Sequence, residues 1–186
     1  FHYYKFNTFR IKLYSVYVLL NFVIMTKILI IMFFNLFCFG AYPSIGEEAP
    51  DFELKDQDGV VHRLNDYKGK KLVIYFFPKA ETPGWIKQAC GFRDSQDNFQ
   101  EDNISIIGVS YDSQDVLKDF KNNHKLNFNL LSDFEKTMGD KYGVNSFYFF
   151  PSRKTFLIDE NGILVHIIEK VNLNSHSNDI LTFFRK

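Results

Sequence analysis

Two sulfur nucleophiles occur in the chain, Cys38 and Cys90, and they sit in unlike surroundings. Cys38 lies in an apolar N-terminal stretch, whereas Cys90 lies in the segment PKAETPGWIKQACGFRD, residues 78–94. The pair lacks zinc-ligand spacing and does not make a disulfide framework. A cysteine attacks as its thiolate, and two surroundings favour that form. One is the first turn of a helix, where unpaired N–H groups and the positive end of the helix dipole meet an anion; the other is a neighbouring guanidinium. Thr82-Pro83-Gly84 introduces a helical pattern over 86–99, so the start of this helix coincides with Trp85. Indole nitrogen is a donor with no thiolate-like lone pair, so Trp85 cannot attack. Cys90 follows five residues later and has two readings, an inert helix residue or a reacting thiol. Thr82 likewise reads as a helix cap, and Arg153 as a surface ion-pair residue.

Other chemistries find no support. The five histidines, His2, His62, His124, His166 and His176, show no metal-ligand spacing and read as including solvent-facing strand and helix residues. Asp56-Gln57-Asp58-Gly59 is too short for a calcium loop and fits a turn. No glycine-rich phosphate loop and no local hydrolase signature is present, so neither metal nor cofactor is expected. The formal charge of zero averages two unlike parts. Residues 1–40 carry Lys5, Arg10, Lys12 and Lys27 without an acid, which leaves 18 basic against 22 acidic side chains in 41–186, a net of −4. An acidic body argues against nucleic acid as a partner, because phosphate binding needs a clustered positive field.

The elements that must position these residues follow from period and turn chemistry. Residues 52–54 and 60–64 flank Asp-Gly and read as a β-hairpin; 155–159 and 163–171 flank Asn-Gly and read as a second. KLVIYFF (71–77) and ISIIGVSY (104–111) are nearly continuous apolar runs, as central strands covered on both faces require. A short strand is expected at 128–131 and helices at 116–124, 134–142 and 177–184, the first with a cap signal at Asp112 and Ser113. This order predicts an α/β domain, a mixed central sheet flanked by helices, over 44–186. The aromatic segment 147–150 is expected in the core.

The loop resembles the peroxiredoxins, specifically their bacterioferritin-comigratory-protein (Q-type) class. The family pattern is Pro-x-x-x-Thr-x-x-Cys, and the class often adds a second cysteine five residues on. Pro78, Thr82 and Cys90 match, and Trp85 stands where the peroxide-attacking cysteine is expected. The resemblance extends through Ala49-Pro50-Asp51-Phe52, Gly108-Val109-Ser110, Leu131-Ser132-Asp133, Tyr142-Gly143-Val144 and Pro151-Ser152-Arg153 into Thr155-Phe156-Leu157-Ile158-Asp159. It implies a thioredoxin-like fold with an added N-terminal hairpin. It also implies a thiol peroxidase that reduces hydrogen peroxide and organic hydroperoxides and is itself reduced by a thioredoxin-like donor, as a monomer or weak homodimer. By the same resemblance Thr82 and Arg153 orient the peroxide and stabilise the departing oxygen, and Cys90 is the resolving thiol.

Three readings of position 85 stand together. A single base separates the tryptophan and cysteine codons, so the letter could be an error; the chain could be a catalytically silent thioredoxin-fold binding protein; or Cys90 could act alone as a weak peroxidase. Ahead of the domain, residues 1–24 read as an upstream extension. Residues 25–40 read as a signal peptide or membrane anchor, with Met25-Thr26-Lys27 before apolar 28–39 and small Gly40 at the cleavage point. The corresponding locations are extracytoplasmic, such as the periplasm, or membrane-anchored, with a cytoplasmic protein the alternative if the segment is no signal.

Overall fold

The computed structural model describes residues 21, 24–27, 43–145 and 150–186. The chain divides into two units, Phe1–Ala41 and Tyr42–Lys186. In the first, residues 24–27 are helical. Residues 28–40 of the signal or anchor expected at 25–40, Cys38 and the aromatic residues 147–149 lie outside the described residues, and among those described no helix is long and apolar enough to cross a membrane.

In the second unit the two Asp-x-x-Gly segments close through the same local chemistry. Asp56 Oδ1 accepts the backbone N–H groups of Asp58 and Val60, each at 2.9 Å, while Gly59 takes φ +83°. That turn joins β1 (Glu53–Asp56) to β2 (Val61–Arg63), antiparallel. After a 3-10 turn at Leu64–Tyr67 come β3 (Lys71–Phe76), α1 (Pro83–Asp94), α2 (Gln96–Glu101) and β4 (Ile104–Ser110). They are followed by α3 (Gln114–Asn123), β5 (Asn129–Ser132), α4 (Thr137–Lys141) and β6 (Thr155–Ile158). The second turn repeats the first, with Asp159 Oδ1 accepting from Asn161 and Ile163 and Gly162 at φ +87°. It leads into β7 (Leu164–Ile168), and α5 (His176–Phe184) closes the chain.

The seven strands form one sheet in the order β2-β1-β5-β4-β3-β6-β7. β3, β4 and β5 run parallel, while β1 pairs antiparallel with β5 and β6 antiparallel with β3. Side chains alternate across a strand, so β3 feeds two cores. Val73 and Tyr75 face α1, α2, α3 and α5 together with Phe92, Phe99, Phe120 and Ile180. Leu72, Ile74 and Phe76 face the opposite layer with Met138, Tyr142 and Phe156. This is the mixed α/β, thioredoxin-like architecture expected, N-terminal hairpin included.

Three expectations are corrected. The helix expected over 86–99 begins at Pro83, because proline at the first helical position loses no hydrogen bond. It ends at Asp94, where the Ser95 N–H bonds back to Phe92 O at 3.2 Å and a separate α2 follows. The helix expected over 134–142 shrinks to Thr137–Lys141, because Lys136 sits at φ +60° and the buried Asp133 carboxylate takes the Met138 and Gly139 N–H groups instead. Phe150, expected in the core, is exposed.

Candidate active site

The site is built on the junction between β3 and α1. After β3 the chain passes Pro78 and Lys79, and the Ala80 N–H is held by Asp112 Oδ2 at 2.7 Å, beyond the end of β4. Glu81 takes φ +59°, an unusual conformation for a residue with a Cβ. Its carboxylate accepts from Asn123 Nδ2 at 3.1 Å and pairs with His124 Nε2 at 3.0 Å, which ties the loop to the end of α3. That hydrogen bond from His124, followed by the one from Asn123, holds the Glu81 carboxyl below its usual range.

Thr82 is the N-cap residue in extended conformation (φ −95°, ψ 142°), but its hydroxyl does not cap. Oγ1 donates to Lys79 O at 3.2 Å, while the Thr82 carbonyl receives the Trp85 and Ile86 N–H groups. The expected side-chain cap is therefore corrected: the hydroxyl is spent closing the preceding turn. The same holds at Ser113, which occupies the N-cap of α3 without a side-chain bond.

Trp85 is 5% exposed and packs in the core with Ala80, Ala89 and Phe120. The Phe77 ring centre lies 6.0 Å from that of Trp85. The Arg153 guanidinium carbon stands 3.9 Å from the indole ring centre, a cation–π contact. A Cβ on Gly84 would lie 3.3 Å from Arg153 Nη2, so the bare glycine lets the guanidinium settle on the first turn of α1. Partial burial lowers the Arg153 pKa, yet a guanidinium stays charged at neutral pH.

The structure thus brings Thr82, Trp85 and Arg153 together at the start of α1. Cys90 is not among them. Five residues along a helix rotate a side chain by about 140°, and Cys90 is partly exposed and free.

One residue of this region escaped the sequence reading: His176, one of five histidines read as including solvent-facing residues, is 4% exposed at the start of α5. Its Nδ1 lies 2.9 Å from Gln88 Nε2 of α1 and its Nε2 3.2 Å from Thr155 Oγ1 of β6, so α5 is pinned to the back of the site. Burial above all, with Arg153 nearby adding to it, pushes its pKa down to about 4 against the opposing pull of Asp179. No cluster of metal-ligating side chains is found among the described residues.

Comparison with known proteins agrees with this geometry. Residues 45–167 match the AhpC/TSA family. The chain is 43% identical over 144 residues to peroxiredoxin Bcp of Bacillus subtilis, covering 74% of this chain and 92% of that one. It is 39% identical over 144 residues to a putative peroxiredoxin bcp of Coxiella burnetii, covering 74% and 95%. Among solved structures, peroxidoxin BcpB of Mycobacterium tuberculosis superposes with a TM-score of 0.73 at 31% identity, over 77% of this chain and 97% of that one. A chain that shares this much sequence with Bcp proteins, and their fold over nearly their whole length, belongs to the AhpC/TSA family and, within it, to the Bcp class of peroxiredoxins.

Proposed function

We propose that this chain is by descent a thiol-dependent peroxidase acting on hydrogen peroxide and organic hydroperoxides and reduced by a thioredoxin-like donor, with Trp85 at the position of the attacking cysteine. The observation that carries this reading is the stack of Arg153 on Trp85 beside Thr82. The Arg153 guanidinium lies over the side chain at position 85, which stands in the first turn of a twelve-residue helix whose N-cap is Thr82. Those groups suit a thiolate and a peroxide whose O–O bond is breaking. Here the indole fills the space between Phe77 and Arg153 that such a peroxide would need.

The test is peroxide consumption by the chain as it stands and by Trp85→Cys, with dithiothreitol as reductant. Turnover by the cysteine variant alone is expected, and would establish a competent scaffold silenced at one position. A stability measurement must accompany it. Replacing a buried tryptophan by a small residue leaves a cavity costing on the order of 3 kcal/mol, so an inactive variant counts against the proposal only if it is folded.

The partial exposure of Cys90 favours a second reading, that it is the working thiol. Activity of the parent chain that disappears in Cys90→Ser would establish this. Absence of turnover in both the parent chain and the Trp85→Cys variant, each folded, would leave a thioredoxin-fold binding protein. We further propose export directed by residues 25–40, in which case the reductant must be extracytoplasmic. Intact mass of the native protein tests this: a chain starting near residue 41 supports cleavage, and one retaining 28–39 refutes it.

A further inference from the structure

We infer that His176 is a positioning residue of the site: through Gln88 and Thr155 it ties α1 to β6 and so fixes where the Arg153 guanidinium lies over position 85. The inference deepens the reading in which Arg153 and position 85 form the reacting pair, and rests on that pairing. Two spacings lead to it. Trp85 and Gln88 are three residues apart on α1, hence neighbours along one side of the helix. Arg153 stands two residues ahead of Thr155, the first residue of β6. Each member of the Arg153–Trp85 contact therefore has a near neighbour in the Gln88–His176–Thr155 chain.

All three side chains of that chain are buried. A carboxamide nitrogen only donates, so Gln88 Nε2 gives a hydrogen to His176 Nδ1 at 2.9 Å. The neutral ring then carries its own hydrogen on Nε2, 3.2 Å from Thr155 Oγ1, and spans a donor on α1 and an acceptor on β6. The Phe92 ring packs against the imidazole from α1, 5.0 Å centre to centre. Burial keeps the imidazole neutral, although Asp179 on the same helix favours its charged form. A proton would turn Nδ1 into a donor facing the Gln88 donor, and would set a second cation near Arg153.

The backbone around Arg153 is anchored on both sides. The Ser152 N–H bonds to Val144 O at 2.7 Å, and Lys154 O accepts from the Phe76 N–H of β3 at 2.9 Å. On the α1 side, among the described residues, no other side-chain hydrogen bond joins the helix to β6 or α5. The rest of that contact is packing: bare backbone at Gly84 and Gly91 lets Arg153 Nη2 and Ser177 Oγ come close. Packing sets how near the helix lies, while directed bonds set its register, which packing alone leaves free to slide. Gln88 Oε1 is buried with no partner among the described residues. An apolar side chain would leave no oxygen unpaired, so what the amide contributes is the directed bond to His176.

The test reads the placement of Arg153 in two ways on the whole chain. The first is Trp85 emission and its quenching by acrylamide, with Arg153→Ala as the reference for a lost guanidinium. The second, in a Trp85→Cys background, is iodoacetamide alkylation of the residue-85 peptide against pH, separated from the Cys38 and Cys90 peptides by mass spectrometry. A guanidinium held beside a thiol favours its reactive form. Thr155→Val keeps the shape of threonine without its hydroxyl, and His176→Phe keeps a ring without its nitrogens. Both are expected to move the fluorescence toward that of Arg153→Ala and to displace alkylation to higher pH, while Thr155→Ser stays with the parent. Leu181→Ala loosens α5 five residues beyond His176 and is the control for mere destabilisation. Valine and serine at 155 that behave alike, or Leu181→Ala moving both readings as far as Thr155→Val, overturn the inference, as do readings that superimpose on the parent. Should Arg153→Ala leave the fluorescence unchanged, the alkylation profile alone decides; should Trp85→Cys fail to fold, the fluorescence does. Neither reading uses peroxide. The expected shifts in a Trp85→Cys chain that consumes no peroxide would refute the peroxidase reading and leave the role of His176 standing.

Discussion

At position 85 a side chain with a donor and no reactive lone pair occupies the first turn of α1, and the Arg153 guanidinium lies over its ring. Stacked, partly desolvated contacts of this kind contribute about 1–2 kcal/mol. Arg153→Ala is therefore expected to lower unfolding stability by about that amount and to change Trp85 fluorescence, since Trp85 is the chain's single tryptophan. Urea unfolding followed by fluorescence and by circular dichroism measures both, and unchanged stability would mean the stack contributes nothing net. Thr82→Ala should cost under about 1 kcal/mol, because the hydroxyl makes one exposed bond to Lys79 O and caps nothing. A loss nearer 2 kcal/mol would show that it caps α1 in solution.

At the scale of elements, α1 is held from three directions: by Asp112 and Glu81 ahead of it, by His124 at the end of α3, and by His176 at the start of α5. The last attachment depends on protonation. The folded-state pKa of His176, about 4, lies below the ordinary value of 6.5, so the unfolded chain binds the extra proton first as pH falls. Stability is full above about pH 6.5 and declines down to about pH 4, with a loss of about 3 kcal/mol from this group. His176→Gln should lose that part of the acid sensitivity. Chemical denaturation at pH 7 and at pH 4.5 reads the difference, and parallel losses in parent and variant would assign the effect to other groups.

For the molecule as a whole, two cores share one sheet, and neighbouring side chains close tightly over β4 at Gly108. Tyr75 and Gly108 are register partners on β3 and β4, and a Cβ at 108 would lie 2.7 Å from the Tyr75 hydroxyl and 2.9 Å from Leu130 Cδ2. Gly108→Ala should therefore destabilise the domain by about 1–3 kcal/mol, with no shift in hairpin or helix content. Thermal unfolding by calorimetry checks this. A neutral result would mean that Tyr75 has room to move.

The same contrast between near and distant partners decides how much was legible beforehand. Both hairpins were readable because Asp56 and Asp159 bond to N–H groups within four residues. β3 and β4 were readable because a strand covered on both faces must be apolar throughout, and the motif around Thr82 and Cys90 marked the family before any coordinate. The antiparallel seat of β1 on β5, the burial of His176, and the turn of Lys136 that shortens α4 were not. The amino-acid sequence alone determined the elements, the family and the absence of a thiol at position 85, since each depends on residue types and neighbours a few positions away. Only the tertiary structure decided that Arg153 stacks on Trp85 and that Gln88, His176 and Thr155 form one buried cluster. Those contacts join residues far apart in the chain, and which of many compatible side chains meet depends on how the helices pack against the sheet.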